Sequence, residues 1–194
     1  MNALKNAIYL LFFLTLVLSA GQVGTKTNES LGLKEHEATK KKIHRTLTKK
    51  LPKRYTHMAS DITEAIMKQS NKNKIDPWMV TAVISGESSF NPNAVGPVGE
   101  IGLMQLRPKS AEWIAMKLDM KWKGAKALKN PVYNIEIGVA YLGYLKKRYS
   151  PQEGHLYLAA YNMGETSLLR LLSKKIRPNV YKLHVMKNYL AIND

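Results

Sequence analysis

Apolar residues return at helical intervals from Met58 onward. Met58, Ile62, Ala65 and Ile66 share one face with Gln69, and the pattern stops in the polar stretch 71–74. Asp76-Pro77 then supplies a side-chain acceptor at a cap and a proline at the first helical position. Trp78, Met79, Val80, Ala82, Val83 and Ile84 follow, apolar almost all round, which predicts a buried helix. Asn91-Pro92-Asn93, Gly96-Pro97, Gly99 and Gly102 break helicity and favour turns around a small sheet or irregular hairpin over 101–106. Pro108 restarts a helix through Trp113, Ile114, Met116 and Leu118, before a basic loop over 121–129. Asn130-Pro131 repeats the cap-and-proline signal, with Val132, Ile135, Val139 and Leu142 on the core face of a helix reaching Arg148. Shorter helices are expected over 156–162 and from Glu165. A last one carries Tyr181, Val185, Tyr189 and Ile192 back onto the core. The pattern predicts a mainly α (α+β) fold, a single domain over 55–194 with a small β or irregular element.

Ahead of that domain the composition changes twice. Lys5, an apolar run over 7–18 broken only by Thr15, and then Ser19, Ala20 and Gly21 follow the order of a secretory signal, so 1–21 is read as a signal peptide. The run is short for a membrane-crossing helix of about 20 apolar residues, with an uncleaved anchor as the alternative to a cleaved signal. Export to the periplasm or cell envelope is the expectation, soluble after cleavage and without a lipid-bearing cysteine, since the chain has no cysteine. From 22 to 54 lysine, threonine, glutamate and histidine dominate, and a basic, flexible segment is expected. Ile43, Leu47 and Leu51 at four-residue steps beside those lysines also allow a short interfacial helix.

The formal charge of +16 over 194 residues favours anionic partners. With an outward-directed leader and no recognisable DNA- or RNA-binding motif, wall polymers or membrane surfaces contacted through the basic 34–54 segment are expected rather than nucleic acid. His36, His44, His57, His155 and His184 lack ligand spacing, so neither a metal nor a cofactor is expected.

One carboxyl stands out. Ile84, Val83 and Val80 lie three, four and seven positions before Glu87, which sets its side chain on a core-facing stripe in the last turn of a helix. Desolvation and the negative end of the helix dipole both disfavour its ionised form and raise its pKa, as a general acid requires. An exposed residue at an ordinary helix end fits the same spacing. Gly86 beside it costs about 1 kcal/mol relative to alanine within a helix, which points to a close approach by another chain segment or a ligand.

The ordered set Glu87-Ser88-Ser89-Phe90-Asn91-Pro92-Asn93-Ala94, Gly102-Leu103-Met104-Gln105, Asn130-Pro131 with Asn134-Ile135, Gly138 and Tyr141-Leu142, and Ala160-Tyr161-Asn162 with Gly164 closely resembles the lytic transglycosylases of the soluble type. These are lysozyme-like enzymes that cut peptidoglycan, and the resemblance covers nearly all of 55–189. It implies that Glu87 is a single acid/base. Glu87 would protonate the bridging oxygen between N-acetylmuramic acid and N-acetylglucosamine and then take the proton of the muramoyl 6-hydroxyl, giving a 1,6-anhydro end. It also implies that Gln105 lines the cleft, that Met104 packs near a sugar, that the Tyr161 hydroxyl orients the carboxyl and that Asn162 holds substrate or backbone. Peptidoglycan strands would be the partner, with secretion-system or wall-remodelling proteins as further possibilities.

Three positions depart from that pattern. Gly96 stands where many members have serine, Glu100 where a small residue is usual, and Met163-Gly164-Glu165-Thr166 where Ala-Gly-Pro-Gly is common. Glu100 is a candidate accessory carboxylate that could activate water and turn the reaction into a lysozyme-type hydrolysis. It is equally well read as a solvated loop residue. A non-catalytic glycan-binding module is the remaining alternative.

Overall fold

The computed structural model describes residues 31–149 and 155–193; the proposed signal over 1–21 and the first residues of the basic segment lie outside them. By packing, the chain divides after Lys42. A helix occupies 31–50 (α1), and residues 31–42, in the first unit, are helical and mostly exposed.

The second unit begins at Ile43, twelve residues before the expected domain start at Tyr55. Ile43 and Leu47 are completely buried and Leu51 nearly so. Four-residue steps place the three on one helical stripe, and that stripe faces the core of this unit. The chain here is therefore neither a flexible tether nor an interfacial helix with free apolar anchors. Burying each of these side chains contributes about 1.5–3 kcal/mol, which overrides the solvating effect of the neighbouring lysines.

After a 3₁₀ turn at Lys53–Met58 come α2 (Ala59–Asn73), α3 (Pro77–Ser88), α4 (Pro108–Lys117), a second 3₁₀ turn at Ala125–Lys129, α5 (Pro131–Tyr149), α6 (Leu156–Met163), α7 (Glu165–Ser173) and α8 (Val180–Asn193). The cap read from Asp76-Pro77 forms, with Asp76 accepting the Trp78 amide at 2.9 Å. The cap at Asn130 accepts the Tyr133 amide at 3.0 Å. The small β element is reduced to two antiparallel bridges, Val95 with Ile101 and Ile101 with Leu106.

Helix α5 runs through the middle of this unit, packed by α2, α4 and α6, while α3 packs along α8. Gly86 explains the last pairing. A Cβ there would lie 2.9 Å from His184 Nε2 and 3.1 Å from Asn188 Nδ2, so glycine lets α8 approach α3 one residue before Glu87.

A single buried amide ties the loop between α3 and α4 to α5. Asn134 accepts the Met104 amide at 2.8 Å and donates to the Ile101 carbonyl at 2.8 Å and the Leu128 carbonyl at 2.9 Å. Gly102, at φ +82°, makes room for that amide, since a Cβ would sit 2.4 Å from Asn134 Nδ2.

Candidate active site

Helix α3 stops abruptly after the carboxyl. Ser89 and Phe90 are both left-handed, at φ 48° and 64°, and Phe90 is buried. Two consecutive left-handed residues turn the chain away, so Glu87 is left at the wall of a cavity of about 320 Å³. Glu100, Gln105, Arg107, Tyr141, Tyr161 and Asn162 line the same space.

Glu87 is partly buried. Desolvation pushes its carboxyl above the ordinary range; a hydrogen bond from Tyr181 pulls the other way, and the charge of Glu100 adds to the rise. The Tyr181 hydroxyl on α8 donates to Glu87 Oε1. Burial first, and then the charge of Glu87, hold the Tyr181 phenol well above its usual pKa, so it stays a neutral donor.

The sequence pattern marks Tyr181 only as a core residue of the last helix. The tyrosine expected to orient the carboxyl was Tyr161, and its hydroxyl instead donates to the Met104 carbonyl at 2.7 Å. Burial, followed by the charge of Glu87, raises its pKa too. Tyr161 thus closes the cavity beside Glu87 and fixes the loop, and Tyr181 makes the carboxyl contact. The signal that could have found it is Gly86, whose close packing brings α8 to the end of α3.

Gln105 takes a left-handed φ of 45° and donates from Nε2 to the carbonyls of Ala94 (3.2 Å) and Gly102 (3.0 Å). These bonds satisfy its amide nitrogen and hold the carboxamide at the cavity wall. Asn162 is exposed at the cavity rim, where its amide faces the open space rather than a buried partner. Met104 is fully buried and does not line the cavity. It packs on Gly138, where a Cβ would meet its sulfur at 2.5 Å, and so supports the floor rather than a sugar.

The two departures at 96 and 100 share one space. A Cβ at Gly96 would lie 2.4 Å from Glu100 Oε2 and 2.8 Å from Gln105 Oε1. Glu100 accepts the Val98 amide at Oε2 (3.1 Å) and Arg107 Nε at Oε1 (2.9 Å). Partial desolvation opposes its ionisation, but the hydrogen bonds from its own backbone amide, Arg107 and Val98 outweigh it and hold the carboxyl below the usual range.

Among the described residues, no group of three or more histidine, aspartate and glutamate side chains is arranged to hold a metal ion, and no helix is long and apolar enough to cross a membrane.

Comparison with known proteins gives a consistent picture. A family model described as the transglycosylase SLT domain matches residues 64–182. Membrane-bound lytic murein transglycosylase E of Buchnera aphidicola is 30% identical over 131 residues, covering 63% of this chain and 59% of that protein. Membrane-bound lytic murein transglycosylase C of Haemophilus influenzae is 31% identical over 129 residues, covering 62% of this chain and 36% of that protein. The chain thus spans less than two thirds of the first relative's length and about a third of the second's. The 70 kDa soluble lytic transglycosylase of Escherichia coli has the same fold over 75% of this chain and 23% of its own, at a TM-score of 0.55 and 23% identity. A complex of the 70 kDa soluble lytic transglycosylase with bulgecin A matches at a TM-score of 0.57 and 24% identity, over 72% of this chain and 25% of that one.

Proposed function

The chain belongs to the transglycosylase SLT domain family, and from that premise we propose that it is a peptidoglycan lytic transglycosylase with Glu87 as its single acid/base. The observation that carries the reading is the pairing of a partly desolvated Glu87 with the Tyr181 hydroxyl at the wall of a cleft. Desolvation favours the protonated carboxyl that a general acid needs before a glycan enters. The Tyr181 bond occupies Oε1, leaves Oε2 to carry the proton, and stabilises the carboxylate once the proton has left.

The steps balance without water. Glu87 gives its proton to the bridging oxygen as the bond from the muramoyl anomeric carbon to that oxygen breaks, releasing a glucosaminyl hydroxyl. The substrate's N-acetyl oxygen supports the electron-poor carbon. The Glu87 carboxylate then removes the proton of the muramoyl 6-hydroxyl, whose oxygen closes onto the anomeric carbon. The carboxyl ends as it began, and the product is a 1,6-anhydro end.

A hydrolase using Glu100 as a base for water is disfavoured by one observation: both of its oxygens already accept hydrogen bonds, and its carboxyl is held below the usual range. Mass analysis of muropeptides tests the choice. The expected result is a 1,6-anhydro end from the wild type and from Glu100→Ala. A reducing end that disappears in Glu100→Ala would establish the hydrolytic reading instead, and wall binding without turnover, unchanged in Glu87→Gln, would establish a binding module.

Export to the cell envelope is part of the proposal and rests on the leader-like order of 1–21. The basic 34–54 stretch is proposed to meet anionic polymers or a membrane surface through charge alone, because Ile43, Leu47 and Leu51 are buried.

A further inference from the structure

Helix α8 is apolar on two opposite faces, so neither stands out in its sequence as the core stripe. One face is packed: Val185 is fully buried, and Tyr181, Tyr189 and Ile192 lie against the core. The other is bare. Val180, Leu183 and Leu190 share one helical stripe and are 80%, 60% and 60% exposed. Lys187 is exposed at the remaining place in that stripe, and Ile176, in the segment leading into α8, is half exposed. We propose that this outer face of α8 docks on an anionic lipid surface, with its aliphatic side chains in the interfacial layer and the surrounding cations on the headgroups.

The charge selects the partner. Between Thr166 and Asn193 the sequence has no aspartate or glutamate, whereas it has Arg170, Lys174, Lys175, Arg177, Lys182 and Lys187. All of these but Lys182 are exposed, and Lys182 is half-buried. A helix with an exposed aliphatic stripe and only basic charge around it suits the plane of a membrane interface, where each cation near an anionic surface strengthens binding.

Lys187 separates a lipid surface from a protein groove. It stands between Leu183 and Leu190 on the stripe, so a dry groove would strip the water from its ammonium. At a lipid interface the same side chain lays its methylenes along the apolar layer and keeps its charge among the phosphates. A second copy of the chain is disfavoured for another reason. Two apposed α8 faces would set Lys187 and the flanking cations against their like.

Docking would also set the height of the cleft. Tyr181, which donates to Glu87, lies on the packed side of α8, and a helix with its side chains is about 10–12 Å across. Glu87 would thus stand roughly one helix diameter above the headgroups. On the proposed reading of that carboxyl, the strands nearest the membrane are the ones it reaches. The docking itself does not depend on that reading.

The absence of cysteine from the chain makes a site-specific label simple. In the full chain, Ala191→Cys carries an environment-sensitive fluorophore at an exposed place on the α8 stripe, and Met116→Cys carries it on the exposed side of α4 as the control. With vesicles of mixed phosphatidylglycerol and phosphatidylcholine, emission from position 191 should shift to the blue while position 116 stays as in water. With phosphatidylcholine alone, partitioning read at 191 should be at least about tenfold weaker. Lys187→Gln should weaken it about fivefold on the mixed vesicles, and Leu183→Gln with Leu190→Gln at least about tenfold. These side chains are exposed, so the changes leave the core intact. Vesicle binding that leaves position 191 in water would assign the contact to the leader or the basic 34–54 stretch and overturn the inference. No shift on either vesicle, or an equal shift at 191 and 116, would overturn it as well. A shift at 191 that grows with protein concentration in the absence of vesicles would assign the face to a second copy instead. None of these readouts uses turnover, so failure of the catalytic reading leaves the result intact.

Discussion

The hydroxyl of Tyr181 donates a hydrogen bond to Glu87 across 94 positions of sequence, from α8 to the last turn of α3. This contact and the Glu100 charge act on the same carboxyl in opposite senses. Tyr181 favours its ionised form and Glu100 disfavours it.

Tyr181→Phe and Glu100→Gln should therefore move the pH profile in opposite directions. The basic limb of kcat/KM reports loss of the Glu87 proton. Removing the Tyr181 donor raises the carboxyl pKa further, so that limb moves to higher pH. Removing the Glu100 charge lowers the pKa, and the limb moves to lower pH. Initial rates measured on soluble glycan strands across the pH range check both signs.

Stability follows from the same desolvation. A carboxyl whose folded pKa is raised stabilises the fold fully below its unfolded pKa, and that contribution is lost as pH rises through the folded value. Glu87→Gln removes the cost of burying the charge. At pH 7 it should raise Tm by about 2–4 °C, the effect of roughly 1 kcal/mol in a chain of this size. Near pH 4, where the wild-type carboxyl is already neutral, the difference should vanish. Calorimetry at the two pH values reads it directly.

Gly96 and Glu100 should be energetically coupled. With 2.4 Å between a Cβ at 96 and Glu100 Oε2, the free end of a side chain, Gly96→Ser alone should push that carboxylate off its Arg107 contact and cost about 1 kcal/mol or less. Glu100→Ala vacates that space, and the double variant should recover at least ~0.5 kcal/mol relative to the sum of the single changes. Denaturant unfolding of the four proteins in the cycle supplies the coupling energy.

The local parts of this molecule were legible in its residues. Asp76-Pro77 and Asn130-Pro131 mark helix starts that form as their chemistry dictates. The spacing of Val80, Val83 and Ile84 sets Glu87 at the edge of the core because helical periodicity is a short-range property. Contacts between distant segments were harder to read. Helix α8 carries only a weak apolar stripe, so nothing in its own pattern marked Tyr181 as more than packing. Ile43, Leu47 and Leu51 make a regular stripe, but the surrounding lysines argued for solvent, and only tertiary burial decides between the two. Met104 carries the same ambiguity: its place under the floor follows from Gly138, thirty-four residues later. The linkage of Gly96 to Glu100 requires the loop geometry that brings them together.

The most direct test measures the rate of anhydro-product formation by Glu87→Gln on purified strands beside the affinity of the same variant for those strands. With the acid/base removed and the cleft intact, turnover should fall by at least about a thousandfold, more than the 10²–10⁴-fold effect of general acid–base catalysis requires at its lower end, while binding stays within about threefold of wild type. Turnover that persists near the wild-type rate in the amide variant would contradict the account.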